Sequence, residues 1–251
     1  MRDKPVASLE ELISKAKLIL QRSPRILFFV GAGLSQASGI KTFRDDDGYY
    51  QDHRVEELAH IDSFFRQRKV MLDWYQARRA QLSQVQPNEG HRAMARMAQD
   101  KEVCVATQNV DDLLERAQKE VGLDCEVWHL HGSIADVLCH QCGHVFWDAS
   151  FDLCDGVSCE KCGGPLRPGV VWFGESLPPI PLQKSLEAAQ ACDVCVMVGT
   201  SGVVYPAAMI PEQALASGAT LIEVNPAPSA LSSKCEIVLR GKAHEILPRL
   251  L

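Results

Sequence analysis

Arg25-Ile26-Leu27-Phe28-Phe29-Val30-Gly31-Ala32-Gly33-Leu34-Ser35 is the stretch on which the fold turns. The apolar run 26–30, bounded by Pro24 and Gly31, is too short for a core helix and lacks the alternation of a half-exposed strand. It reads as a strand buried on both faces, the habit of parallel sheets. Glycines directly after such a strand let a backbone come close to a diphosphate, while a following helix presents free N–H groups to it. Gly31 and Gly33 lack the third glycine of the full dinucleotide fingerprint, and structural G-x-G turns are common, so the pair does not decide nucleotide binding alone.

Runs of the same kind recur outward from this one, at 103–107, 127–130, 194–198 and 221–224. Helical stretches such as 113–121 and 206–217 lie between them. Upstream, Leu9, Leu12, Ile13, Ala16, Ile19 and Leu20 recur at helical spacing behind a Ser8/Glu11 capping-box pattern. Strand alternating with helix implies an α/β protein with a Rossmann-like, doubly wound parallel sheet. Two stretches break the rhythm: 44–90 is polar, charged and helical in pattern, and 133–168 is rich in Cys and Gly. They are assigned to a smaller domain, a zinc ribbon plus a helical module, inserted into a Rossmann-like domain made of 1–43, 91–132 and 169–251.

The 251 residues suit one large domain with a small insert. With 46% hydrophobic and 23% charged residues the chain is neither fibrous nor disordered. Its apolar runs fall far short of the roughly 20 residues that span a bilayer, so no membrane association is expected. A net charge of -6 argues against broad electrostatic binding of nucleic acid. The opening Met1-Arg2-Asp3-Lys4-Pro5 shows no apolar core of a secretory signal, and the expectation is a cytoplasmic monomer with reduced thiols.

Ten cysteines must therefore be explained by spacing. Cys139-His140-Gln141-Cys142 and Cys159-Glu160-Lys161-Cys162 form two C-x-x-C knuckles at a zinc-ribbon separation. Four thiolates close a tetrahedral Zn²⁺ shell with no position left for water or substrate, so the site is structural. Cys154, His140 and His144 rank behind these four as ligands. Cys104, Cys125, Cys192, Cys195 and Cys235 sit in or beside apolar runs as small hydrophobes.

Gly199-Thr200-Ser201 and Asn225 end two further strands, bringing polar termini to the carboxyl edge where doubly wound sheets hold ligands. The acidic ribose ligand of ordinary dehydrogenases is missing from its usual place, because Asp45-Asp46-Asp47 reads as loop. The run Gly31-Ala32-Gly33-Leu34-Ser35-Gln36-Ala37-Ser38-Gly39-Ile40-Lys41-Thr42-Phe43-Arg44 resembles the signature loop of the sirtuins, the NAD-dependent protein lysine deacylases. Thr107-Gln108-Asn109-Val110-Asp111 resembles their T-Q-N-x-D motif and His131-Gly132 their catalytic H-G. Leu166-Arg167-Pro168-Gly169-Val170-Val171-Trp172-Phe173-Gly174-Glu175 is similar to the stretch after their zinc ribbon. The resemblance covers about residues 25–250.

It implies two cofactors, NAD and Zn, and acylated lysine side chains of proteins or peptides as substrates. Nicotinamide leaves, the acyl oxygen captures the ribose carbon, and His131 serves as general base on the ribose hydroxyls, ending in O-acyl-ADP-ribose and free lysine. Gly31, Ala32, Gly33, Ser35, Gly199, Thr200, Ser201, Asn225 and Ala243 are implied as cofactor-binding positions. Gln108, Asn109 and Asp111 would hold the nicotinamide ribose and amide, although Asn109 and Asp111 equally suit capping of a helix beginning near Val110. Thr42, Phe43 and Arg44 complete that set, with Phe43 and Arg44 closing over the ribose. His129 reads as structural.

The backbones of 171–175 and 202–205, with Val203, would flank an extended peptide. Val171 and Phe173 line either the acyl-lysine tunnel or the core. Tyr75 and Arg78, three residues apart on a helix, share a face. They match the Tyr-x-x-Arg pair of class III sirtuins, which remove succinyl, malonyl and glutaryl groups, because a guanidinium fork meets a carboxylate bidentately. A solvated helix face would carry the same residues without such a role. A general deacetylase, a mono-ADP-ribosyltransferase of the same fold and a non-catalytic NAD-responsive module are the competing readings.

Overall fold

The computed structural model describes residues 7–40, 49–50, 53–147 and 152–251. Helix α1 (Leu9–Arg22) starts at the expected capping box, with Ser8 and Glu11 bonded reciprocally. Strand β1 (Arg25–Val30) is buried from Ile26 onward. Behind it the expected helix is replaced by two 3₁₀ turns, Ala32–Leu34 and Gln36–Ser38, closed by Gly39 in the left-handed region. A short antiparallel pair, β2 (Tyr49–Tyr50) and β3 (His53–Arg54), leads to helices α2 (Val55–Leu58), α3 (Ile61–Arg66), α4 (Arg68–Leu82) and α5 (Glu89–Met97).

Strand β4 (Glu102–Thr107), helix α6 (Leu113–Val121) and strand β5 (Glu126–His129) follow. Next come β6 (Gly132–Cys139), β7 (Val145–Trp147) and β8 (Leu166–Val170), paired antiparallel in the order β7-β6-β8. The chain ends with α7 (Pro179–Ala191), β9 (Val194–Val198), α8 (Met209–Ala216), β10 (Thr220–Val224), β11 (Ile237–Leu239) and α9 (Ala243–Ile246). Helix α6 spans the expected 113–121. Two expected bounds move: the helix expected from 206 begins at Met209, and β5 is a half-exposed edge strand ending at His129.

Among the described residues the large sheet has six strands, all parallel, in the order β11-β10-β9-β1-β4-β5. Chain order reverses between β1 and β9, the doubly wound arrangement, and ligands of such sheets bind in the crevice at that reversal. Ile26, Phe28 and Val30 face a core shared with α1, α5 and α9. Leu27 and Phe29 face the opposite core, with Met197 and Ile210. Each such fully buried side chain contributes about 1.5–3 kcal/mol, which is why this five-residue run organises the sheet.

A third core, with Phe64, Leu72, Tyr75, Val137, Leu166 and Trp172, fills the space between α2–α4 and the antiparallel sheet. The joins expected at 132/133 and 168/169 fall within β6 and β8, and the join at 90/91 falls within α5. No helix among the described residues is long and apolar enough to cross a membrane.

Candidate active site

The floor of the crevice is a backbone crossing. Gly31 N–H donates to the Val198 carbonyl and Gly33 N–H to the Gly199 carbonyl, both at 2.9 Å. A Cβ on Gly33 would lie 2.7 Å from Gly199 Cα, and one on Gly31 would lie 2.8 Å from the Gly199 oxygen. These glycines are therefore demanded by contact between two loops as well as by any ligand above them. Half-buried Ala32 lies between them. Gln108 Nε2 donates to Thr200 Oγ1 at 2.9 Å, and Asn225 Nδ2 to the Thr200 carbonyl at 2.9 Å. The ends of β4, β9 and β10 are thus tied together. Ser201 adjoins Thr200, its carbonyl accepting from Ala230 N–H, while Ala243 is buried at the start of α9 beyond β11.

Beneath this edge lies a buried polar cluster. Ser35 Oγ donates to Asp111 Oδ2 at 2.9 Å and accepts from Asn109 Nδ2 at 3.1 Å. His91 Nδ1 accepts from Asn88 N–H at 3.2 Å, which leaves the imidazole proton on Nε2, 3.4 Å from the same Ser35 oxygen. Burial, with the charge of Arg92, pushes His91 down to about 3, so the ring is neutral at neutral pH. Burial also raises the Asp111 carboxyl. Asp111 serves the start of α6 as expected, its Oδ1 accepting from Leu113 N–H. The expected cap through Asn109 is not what its amide does: that group is turned onto Ser35.

His131 has one nitrogen fixed. Nδ1 lies 3.0 Å from the Gln108 carbonyl, and a carbonyl only accepts, so Nδ1 carries the proton and Nε2 keeps a lone pair. Burial lowers the His131 pKa, partly opposed by that hydrogen bond. The base form therefore dominates at neutral pH. Gly132 follows at φ 73°, and a Cβ there would sit 2.1 Å from the Gly169 carbonyl oxygen. His129 differs. Its Nε2 meets Glu115 at 2.6 Å and its Nδ1 the Asn109 carbonyl at 3.0 Å. Burial opposes charge on His129, but the Glu115 hydrogen bond and carboxylate outweigh it and hold the ring above its ordinary value.

Tyr75 and Arg78 are not on a solvated face. Tyr75 is 4% exposed and its Oη accepts from Trp172 Nε1 at 3.0 Å. Arg78 is half-buried with its guanidinium 5.1 Å from the centre of the Trp74 ring. Burial disfavours its charge, while Tyr75 and Asp111 act the other way.

The expected peptide walls are partly spent. The N–H groups of Val171, Trp172, Phe173 and Glu175 donate to the His131 carbonyl, Glu175 Oε2, the Ala59 carbonyl and the Trp172 carbonyl. Among the described residues, the groups of 171–175 left for an incoming chain are the Val171 and Glu175 carbonyls and the Gly174 peptide groups. Phe173 at 46% and Val203 at 57% are exposed, so core packing explains neither, and Val171 is half-buried. Thr42, Phe43 and Arg44 lie outside the described residues.

The sulfurs of Cys139, Cys142, Cys159 and Cys162 lie within 4.8 Å of one another. Cys139 and Cys162 are 3.5 Å apart, Cys142 and Cys159 3.9 Å. A tetrahedron with Zn–S arms of about 2.3 Å has edges of about 3.8 Å, so the four fit zinc. Each knuckle is followed by a left-handed glycine, Gly143 or Gly163, whose N–H returns to the carbonyl of the first cysteine. Cys154 stands outside the four, and His140 packs its ring against Phe64 and Phe65. A C-x-x-C-G pattern would have signalled the turn more sharply than C-x-x-C.

His91 was legible only as part of Asn88-Glu89-Gly90-His91, a capping box with His in the place of Glu or Gln. The buried Arg167–Glu175 pair carried no periodic signal; Arg167 holds Glu175 through both nitrogens, at 2.6 and 2.7 Å.

The model of the Sir2 family matches residues 31–206. The chain belongs to the Sir2 family. Among its Sir2 relatives are the NAD-dependent protein deacylases of Pseudomonas putida, 42% identical over 95% of this chain and 93% of that protein, and of Mycobacterium tuberculosis, 42% identical over 90% and 96%. A solved Sir2 homolog–NAD complex superposes with a TM-score of 0.85 at 39% identity, covering 94% of this chain and 91% of the other. A Sir2 variant with a deacetylated p53 peptide and 3'-O-acetyl ADP ribose gives 0.81 at 26% identity, covering 95% and 96%.

Proposed function

We propose that this Sir2 protein is an NAD-dependent protein lysine deacylase that prefers acyl groups ending in a carboxylate. The enzyme class follows from the family and its relatives. The acyl preference is carried by one observation: on one side of α4, Tyr75 is buried and Arg78 half-buried, so neither stands on a solvated face. A guanidinium at that place can meet a succinyl, malonyl or glutaryl carboxylate bidentately, and burial, which disfavours its charge, favours an anion brought beside it.

The crevice fits NAD by its shape and donor set: a glycine floor at the β1/β9 reversal, tied polar side chains along the rim, and Asn109 and Asp111 beneath. Gly31, Ala32, Gly33, Ser35, Gly199, Thr200, Ser201, Asn225 and Ala243 would hold the dinucleotide. Gln108, Asn109 and Asp111 would hold its nicotinamide ribose and amide, and Thr42, Phe43 and Arg44 would cover it. When bound, NAD would supply a labile glycosidic bond with nicotinamide as its leaving group. His131 accepts a ribose hydroxyl proton at Nε2, because Nδ1 is already protonated and held by the Gln108 carbonyl. The segment 171–175 orients the acyl-lysine through the Val171 carbonyl, with Phe173 and Val203 beside the peptide. Zinc, held by the four thiolates, stays out of the chemistry and fixes the ribbon.

The test is mass spectrometry of acetyl, succinyl, malonyl and glutaryl peptides with and without NAD, for the protein and for Arg78→Met. The expected result is NAD-dependent loss of all acidic acyl groups. The variant should lose about ten- to a hundredfold more succinyl than acetyl turnover, the worth of a hydrogen-bonded charge. Equal losses on the two peptides would leave a general deacetylase. ADP-ribosylated protein without deacylated peptide would favour the transferase reading.

A further inference from the structure

We propose that Trp172 is a positioning residue that aims the Tyr75 hydroxyl as a donor into the acyl pocket, so that the pocket selects a chain end that accepts hydrogen bonds. This rests on the acyl preference argued above and names the group that prepares Tyr75 for it. An indole N–H can only donate, and Trp172 Nε1 stands 3.0 Å from Tyr75 Oη. The phenol oxygen is therefore the acceptor in that contact, and its own proton must point elsewhere. No acceptor for that proton stands among the described residues, although Tyr75 is 4% exposed. A buried donor without a partner is costly, so the hydroxyl is completed by a ligand atom. The methyl end of an acetyl group offers none; a terminal carboxylate offers two oxygens.

Trp172 cannot turn away to release the phenol. It is 1% exposed, with the Arg167 guanidinium 3.3 Å from its ring centre and the Phe64 ring at 5.1 Å on its surroundings. Arg167 is held by both Glu175 oxygens, and Glu175 Oε2 also accepts from the Trp172 N–H at 2.8 Å. Glu175, Arg167 and Trp172 thus form a closed set of contacts that fixes the indole. The direction of the Tyr75 proton is consequently set before any substrate arrives, which is preorganisation in its ordinary sense. Arg78 supplies charge to the acyl end and Tyr75 supplies direction.

The experiment measures kcat and KM at saturating NAD for succinyl- and acetyl-lysine forms of one peptide. The proteins are the unaltered chain, Trp172→Phe, Tyr75→Phe, the double variant and Arg78→Met. In Trp172→Phe the succinyl-to-acetyl ratio of kcat/KM should fall about three- to tenfold, the worth of one neutral hydrogen bond, mainly through KM for the succinyl peptide. The double variant should match Tyr75→Phe within about twofold, because an unaimed hydroxyl and a missing one are alike to the carboxylate. An unchanged ratio in Trp172→Phe, equal losses on both peptides, or additive losses in the double variant overturn the assignment and leave Trp172 a packing residue. Arg78→Met separates the two readings. If its ratio equals that of the unaltered chain, the acyl preference itself falls and takes this inference with it; if its ratio drops while that of Trp172→Phe does not, only the inference falls. Should Trp172→Phe fail to fold, Tyr75→Phe carries the test by NMR. The Trp172 indole proton resonance should move upfield when the phenol oxygen is removed, and an unmoved resonance overturns the contact on which the inference stands.

Discussion

His131, proposed as the general base, shows what one backbone carbonyl does to an imidazole. The Gln108 oxygen chooses the tautomer, burial keeps the ring neutral, and the result is a base ready at neutral pH without a carboxylate partner. His131→Asn should reduce NAD-dependent deacylation by about a hundredfold to ten-thousandfold, the usual worth of a general base, while zinc content and melting temperature stay as they were. Because its pKa is lowered, the acid limb of kcat/KM against pH should fall below 6.5, the ordinary value for histidine. A limb above that value would remove His131 from the role. The motif around this residue could be read in the sequence, since H-G is a two-residue string. The tautomer could not, because Gln108 is 23 positions away and acts through its main chain. His91 was hidden for a similar reason, being joined to Ser35 across 56 positions.

Elements were legible in proportion to how far local pattern alone sustained them. The run 26–30 announced β1 because parallel strands buried on both faces carry no polar alternation. β11 went unread because three residues, Ile237–Leu239, are too few to show any period. The ribbon strands β6, β7 and β8 were read only as a Cys- and Gly-rich stretch, since the four thiolates, and not a wide apolar face, fix their turns. The helix after β4 was legible at 113–121, but Asn109 is not its cap, because its amide is engaged by Ser35. Chelation tests the ribbon. A strong chelator should release one zinc per chain and melt the core around Phe64, Val137 and Leu166, seen as lost amide protection in β6–β8 and α3–α4. The six parallel strands should keep their protection, because their two cores share no thiolate ligand with the ribbon. Protection lost evenly across the molecule would show that the two parts unfold as one.

The whole molecule carries its histidines in opposed electrostatic states, and its stability should record this. His91 has a folded pKa of about 3 against an ordinary 6.5, so it stabilises the fold above 6.5 and that contribution is lost as pH falls below it. His129 is raised, so its contribution is full below 6.5 and is lost as pH rises through its folded value. Between pH 6.5 and 5 the unaltered protein should lose about 1.4 kcal/mol per pH unit more than His91→Gln, one proton's worth. Denaturant titrations at several pH values measure it, and parallel slopes for the two proteins would contradict the buried neutral ring.

The crossing of Gly31 and Gly33 over Gly199 sets a boundary on what variation can achieve. Backbone packed against backbone leaves no side chain there to exchange, so the bed of the crevice is closed to tinkering, whether by selection or by an engineer. Room for novelty lies along α4, where each position ends in a side chain. A library varied at Arg78 and its neighbours should yield catalysts with new acyl appetites that still grip the same dinucleotide.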